Sequence, residues 1–232
     1  MRAHFVVTLL ITGLCVAGQA HAITVPSVEH FQTGHANWFN ASGAAPVNWL
    51  ASGGPDGSSF VSTSFNFVNQ TPGLPFPNNA VSLFRAQDEF NSSDHAFEGD
   101  WIGAGVSQFN FRVRHNAPTA MNFFVRFATA SNSPAWSGVA FAPVGPNQWT
   151  QVTINIAFGD PGLFFEGPPP TINNFNQVFG NIGHVQIGVF GGDMAGVNQE
   201  FTFDLDQPSI VPAPGLLSGL GLFALLRRSR KR

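Results

Sequence analysis

Between positions 106 and 129 apolar and polar residues alternate twice over. Phe109, Phe111 and Val113 interleave with Asn110, Arg112 and Arg114, and beyond Asn116-Ala117-Pro118 the residues Met121, Phe123, Val125 and Phe127 share one side, with Asn122 and Arg126 on the other. A period of two sends successive side chains to opposite faces, so each segment reads as a strand with one buried and one wet face. The proline turn between them predicts a hairpin. Further strands are expected at 58–67, 81–85, 138–142, 149–156, 185–190 and 201–210. Eight or more short strands separated by Gly and Pro predict an all-β fold, a two-sheet antiparallel jelly-roll β-sandwich.

Composition agrees. The chain has 25 phenylalanines, 25 glycines and 17 prolines, and only 10% of its residues are charged. That mixture favours strands joined by turns, and its aromatic content argues against a disordered chain. Irregular loops are expected at 70–79 and 157–173, with a short helical turn at 174–181. Trp38 and Trp49 are assigned to the core.

The two ends read differently from the body. Arg2, an apolar run from Phe5 to Val16 and the triplet Ala20-His21-Ala22 have the layout of a secretory signal peptide, so residues 1–22 form an expected signal helix and the mature chain starts at Ile23. The sole cysteine, Cys15, lies in that segment, which leaves the body without disulfides or thiolate chemistry. Residues 23–210 are then the sandwich domain, and residues 211–232 a tail. The tail runs Val211-Pro212-Ala213-Pro214, an apolar helix-forming stretch to Leu226, then Arg227, Arg228, Ser229, Arg230, Lys231 and Arg232. A basic end of this kind stays on the cytoplasmic side and leaves the preceding domain outside. The stretch is short for a bilayer span.

These three blocks resemble the PEP-CTERM sorting signal of Gram-negative bacteria, with Ala213 at the position of that family's usual glutamate. The resemblance implies export through the inner membrane, transient membrane residence through the tail, processing by an exosortase-like enzyme, and display at the cell surface or in an exopolysaccharide matrix.

Within the body, four arginines and no lysine stand against all 13 acidic residues. An acidic domain excludes nucleic acid and anionic polymers as main ligands. No nucleophile elbow, zinc-binding helix motif or phosphate loop occurs, and the domain reads as non-enzymatic. A glycosidase needs only two carboxylates placed by the fold, so a secreted polysaccharide-active hydrolase is the alternative, and a purely structural or adhesive matrix protein a third reading. Asp88 and Glu89 are neighbours, which on a strand point to opposite faces; they read as solvated loop charges.

Two constellations suggest binding. Glu29 near the start and Asp204 and Asp206 on the last strand supply oxygen ligands for one structural calcium ion tying the ends together, since first and last strands of a jelly roll can be neighbours. Trp101, Trp136 and Trp149 are candidates to stack on sugar rings, with nearby amides reading the hydroxyls. Glu29-His30-Phe31 with Gly34 and Trp38, Trp49 leading into the segment 53–58, then 175–189 and Leu205-Asp206 resemble galactose-binding-like and laminin-B-like sandwiches. The function expected is a non-enzymatic module binding an extracellular polysaccharide.

Overall fold

The computed structural model describes residues 23–74 and 79–214. The signal segment 1–22 and the apolar and basic parts of the tail, 215–232, lie outside the described residues, as do the helices expected there. Within the described residues the chain forms β1 (Ser27–Val28), β2 (Asn48–Leu50), β3 (Phe60–Asn66), β4 (Ala80–Gln87), β5 (Val106–His115) and β6 (Phe123–Ala128). There follow β7 (Ala135–Val139), β8 (Thr150–Asn155), β9 (Leu163–Phe165), the helix α1 (Ile172–Phe179), β10 (His184–Phe190) and β11 (Glu200–Pro212).

All strand pairs are antiparallel. One sheet has the order β2-β3-β11-β5-β8, with β1 also on β11, and the other β4-β10-β6-β7-β9. This is the expected two-sheet antiparallel sandwich of the jelly-roll kind. First and last strands are neighbours, as Ser27 pairs with Ile210 and Val28 with Ser209. The long β11 changes partner on this edge, from β3 to β1, at a register break after Asp206, where Gln207 takes a positive φ of 51°.

The expected hairpin of β5 and β6 does not form. β5 pairs with β11 and β8, whereas β6 pairs with β10 and β7, so the turn at 116–122 carries the chain from one sheet to the other. Two strands that each carry a complete apolar face bury more surface by facing across the core than by lying side by side. The rings of Phe109 and Phe127 meet there edge to face, 5.8 Å apart. The strand expected at 138–142 is shifted to Ala135–Val139, because Trp136 is the side chain that fills the core. β1, β2 and β9 are two or three residues long, too short for alternation to show. The helical turn expected at 174–181 is α1, which begins two residues earlier: Thr171 Oγ1 accepts the Asn174 N–H, and Phe175, Val178 and Phe179 are buried.

The core is built from phenylalanine. Phe67, Phe84, Phe97, Phe111 and Phe123 are fully buried, as is Trp38. Trp49 departs from expectation: on the short edge strand β2 it is 39% exposed, its indole N–H donating to the Phe31 carbonyl at 2.6 Å. At the other end β11 runs two residues past the boundary placed at 210. Val211 pairs with Gln108 and Pro212 with Val106, and the Ala213 N–H donates to the Gly105 carbonyl.

Candidate functional site

On the second sheet the inward row is apolar, and the outward row is unusual. Register places Arg85, Gln186, Arg126, Ser137 and Phe164 side by side across β4, β10, β6, β7 and β9. The next outward row holds Ser82, Gly188, Phe124 and Val139. Gly188 is required there: a Cβ would come within 2.3 Å of the Val81 carbonyl oxygen and 2.5 Å of the Phe124 ring, which lies across it. Phe124 is thereby laid down as the floor of a groove.

Ser82, Phe124, Arg126, Ser137, Phe164 and Glu166 line a hollow of about 620 Å³. A second hollow of about 350 Å³ shares Phe164 and adds Asn122, Phe141 and Phe190. Polar groups in the groove are fixed before any ligand arrives. Arg126 Nε donates to Glu166 Oε2 at 2.8 Å, Ser137 Oγ donates to Glu166 Oε1 at 2.6 Å, and the other Arg126 nitrogens hold the side-chain and backbone oxygens of Asn132. Gln186 is 3% exposed; its Oε1 accepts from Ser82, and its amide nitrogen has no hydrogen-bond partner among the described residues. Arg85 is drawn below its ordinary pKa first by burial, then by the charge of Arg126, with Glu89 opposing. A face of this kind can stack a flat apolar surface on the exposed Phe164 ring and exchange hydrogen bonds with hydroxyls beside it.

The tryptophans lie elsewhere. Trp101 is fully buried, packed on Phe109 and Phe127 with its N–H donating to the Phe97 carbonyl at 3.0 Å. Trp136 is 2% exposed and points between the sheets onto Phe165 and Phe175. Both are corrected from sugar platforms to core residues: Trp136 sits at an inward position of β7, and Trp101, in the turn before β5, is held by its backbone N–H on the Phe179 carbonyl with its ring packed among phenylalanines. Trp149 is half-buried on the first sheet, with the Arg114 guanidinium 4.8 Å from its ring centre and Phe60 against it edge to face. One face of that indole is therefore already covered by a cation.

The three expected calcium ligands have other partners. Glu29 Oε1 accepts the Phe31 N–H, and Asp204 Oδ2 accepts from Arg114 Nε at 2.8 Å with Arg114 Nη2 equally close. Asp206, fully buried, accepts from Ser58 Oγ at 2.7 Å and from the Gln207 N–H. Burial pushes the Asp206 carboxyl above its ordinary pKa, while Ser58, Gln207, His30 and Arg112 act the other way. Glu29 and β11 do meet, through the Glu29 N–H and the Pro208 carbonyl, but the three carboxylates do not come together as one set of ligand atoms.

Asp88 and Glu89, read from sequence as solvated loop charges, do stand partly exposed in a turn, and they also meet at a buried histidine. Strand β4 ends at Gln87 and a single tight turn follows, so the strand rule of opposite faces no longer applies. His184 Nε2 lies 3.2 Å from Asp88 Oδ1 and 2.8 Å from Glu89 Oε2. No sequence signal joins residues almost a hundred positions apart; only the pairing of Gln87 with His184 does.

The fold and groove define a class: a jelly-roll sandwich with a lined recess on the outer face of one sheet. No protein-family model matches the chain, and no curated protein matches it in sequence. Solved structures share the sandwich. An exo-beta-agarase is 11% identical with a TM-score of 0.50, covering 82% of this chain and 26% of its own, so this chain spans about a quarter of that enzyme's length. A family 11 carbohydrate-binding module from Clostridium thermocellum, in complex with a beta-1,3-1,4-mixed-linked tetrasaccharide, is 12% identical with a TM-score of 0.47, covering 83% of this chain and 98% of its own. The L4b domain of human laminin alpha-2 is 14% identical with a TM-score of 0.36, covering 65% and 91%.

Proposed function

We propose that the sandwich is a non-enzymatic module that binds a neutral glycan in the groove on its second sheet, and that it works outside the inner membrane at the cell surface or in an extracellular matrix. The observation that carries the reading is the recess on the outer face of β4-β10-β6-β7-β9, where pre-ordered Arg126, Glu166 and Ser137 lie beside Phe124 and Phe164. Pyranose rings have the matching chemistry, with apolar C–H faces and hydroxyl edges. The acidic body and the mutual neutralisation of Arg126 and Glu166 favour an uncharged polymer over an anionic one.

Binding is favoured over hydrolysis by the lining itself. A glycosidase acts with two carboxyl groups roughly 5–9.5 Å apart across the scissile bond. Among the described residues lining the two connected hollows, Glu166 is the carboxylate, and both its oxygens are held by Arg126 and Ser137. Export, exosortase-like processing and matrix display are supported by the sequence pattern of residues 1–22 and 211–232.

The test is calorimetry and affinity electrophoresis of the purified protein against a panel of neutral and acidic polysaccharides. Binding of a neutral polymer that is lost in Glu166→Gln supports the reading. A folded protein that binds none of the panel overturns it and leaves the structural or adhesive role.

A further inference from the structure

We propose that His184, Asp88 and Glu89 form a binding site for a divalent transition-metal ion of the zinc type, at the end of the second sheet's outer face. The site is separate from the glycan groove and does not depend on that reading. Among the described residues this is the one place where three His, Asp or Glu ligand atoms come within 4.8 Å of one another.

The acidic pair alone would carry nothing; the histidine does. His184 is only 4% exposed, and its Nε2 has no hydrogen bond although two carboxylate oxygens stand 2.8 and 3.2 Å away. Neither oxygen lies along the ring N–H direction closely enough to accept from it. The other ring nitrogen is already occupied. His184 Nδ1 is 3.2 Å from Asn132 Oδ1, and that oxygen is identified as an acceptor because Arg126 Nη1, which can only donate, holds it at 2.6 Å. Nδ1 therefore carries the proton. The amide of Gln87, also 3.2 Å from Nδ1, can turn to suit.

With Nδ1 engaged by Asn132, the buried Nε2 is left beside the two carboxylate oxygens without a hydrogen bond. A cation seated among the three atoms would give Nε2 a partner and offset the repulsion between the two adjacent carboxylates. Ligand atoms held about 2.1 Å from a metal at angles of about 90–110° are separated by about 3.0–3.4 Å, close to the spacing seen between Nε2 and the two oxygens. One imidazole and two carboxylates suit zinc or manganese better than calcium, which prefers six to eight oxygens. The Nδ1–H to Asn132 contact supplies the second tier that orients a metal-bound histidine, and Arg126 holds that tier in turn. Asp88 and Glu89 are 34% and 49% exposed at their side chains, so an ion has access from solvent and keeps open positions for water or an oxygen ligand.

The experiment is titration of the full, untagged, chelator-treated protein with zinc chloride and, separately, calcium chloride, followed by calorimetry and melting. The expected result is one zinc equivalent, binding at least about tenfold more tightly than calcium and raising the melting temperature. Asp88→Asn and Glu89→Gln lie in an accessible turn and preserve shape; each should weaken zinc binding about tenfold or more. Replacing zinc with cobalt(II) should give visible absorption that the double variant lacks. No zinc binding by the folded protein, or binding unchanged in the double variant, overturns the proposal. A folded protein that binds zinc but none of the polysaccharides upholds this proposal and sinks the groove reading alone.

Discussion

Arg126 reaches from the centre of the second sheet across β7 to place its Nε 2.8 Å from Glu166 Oε2, just beyond the end of β9. The pair spans the recess and fixes both charges in it. Exposed ion pairs contribute about 0–1 kcal/mol, so Glu166→Gln should shift the melting temperature by less than about 4 °C. Affinity for the polysaccharide should fall about tenfold or more, equivalent to about 1.4 kcal/mol. Differential scanning fluorimetry and calorimetry read the two effects separately.

Phe164 and Phe124 share the groove but differ in burial. Phe164 is 39% exposed, so Phe164→Ala is expected to weaken binding while costing about 1 kcal/mol of stability. Phe124 is 3% exposed over Gly188, and Phe124→Ala should cost about 3–5 kcal/mol. Urea unfolding of both variants checks the contrast.

Trp101→Ala removes an indole packed on Phe109 and Phe127 and leaves the Phe97 carbonyl without its donor. A loss of about 3–5 kcal/mol is expected. Trp149→Ala forfeits the Arg114 cation–π contact and the Phe60 edge, about 1–2 kcal/mol in all. The ratio of the two costs, from denaturant midpoints, tests the assignment of Trp101 to the core.

His115 is 1% exposed, and burial lowers its pKa below 6.5, with the Val144 and Ala117 backbone opposing. The unfolded chain therefore binds the proton more readily than the folded one. This group's contribution to stability is fully present above about pH 6.5 and is lost as the pH falls from there towards the depressed value. His115→Gln can still donate to Val144, now held by His115 Nε2 at 2.9 Å, and should flatten that part of a melting-temperature profile measured between pH 7 and 5.

Asp206 has the opposite sign. Burial raises its pKa above 3.8, so the folded state holds the proton more tightly; the associated stability is present below about pH 3.8 and is lost as the pH rises through the raised value. Asp206→Asn keeps an acceptor for the Gln207 N–H and should remove this slope in the same kind of profile, measured from pH 3 upward.

The alternation along β5, β6 and β8 made the sandwich legible, because a strand with one apolar face must be covered by another sheet. Strand partners were less legible: Asn116-Ala117-Pro118 looks like a hairpin turn, yet it leads across the core. Trp49 and Trp136 exchanged their expected roles for a related reason. Whether an indole meets water depends on whether its strand is a short edge, as β2 is, or faces the opposite sheet, as Trp136 does on β7.

The sequence by itself determined the all-β class, the phenylalanine core, the acidic body free of thiols, and the pattern at the two ends. Period and composition are local properties, and they suffice for these. Only the tertiary structure decided that Arg126 meets Glu166 and that Asp88 and Glu89 meet His184. Those contacts depend on strand order and register between segments 40 to almost a hundred residues apart, which the free energy of the whole packed sandwich sets and no local pattern encodes.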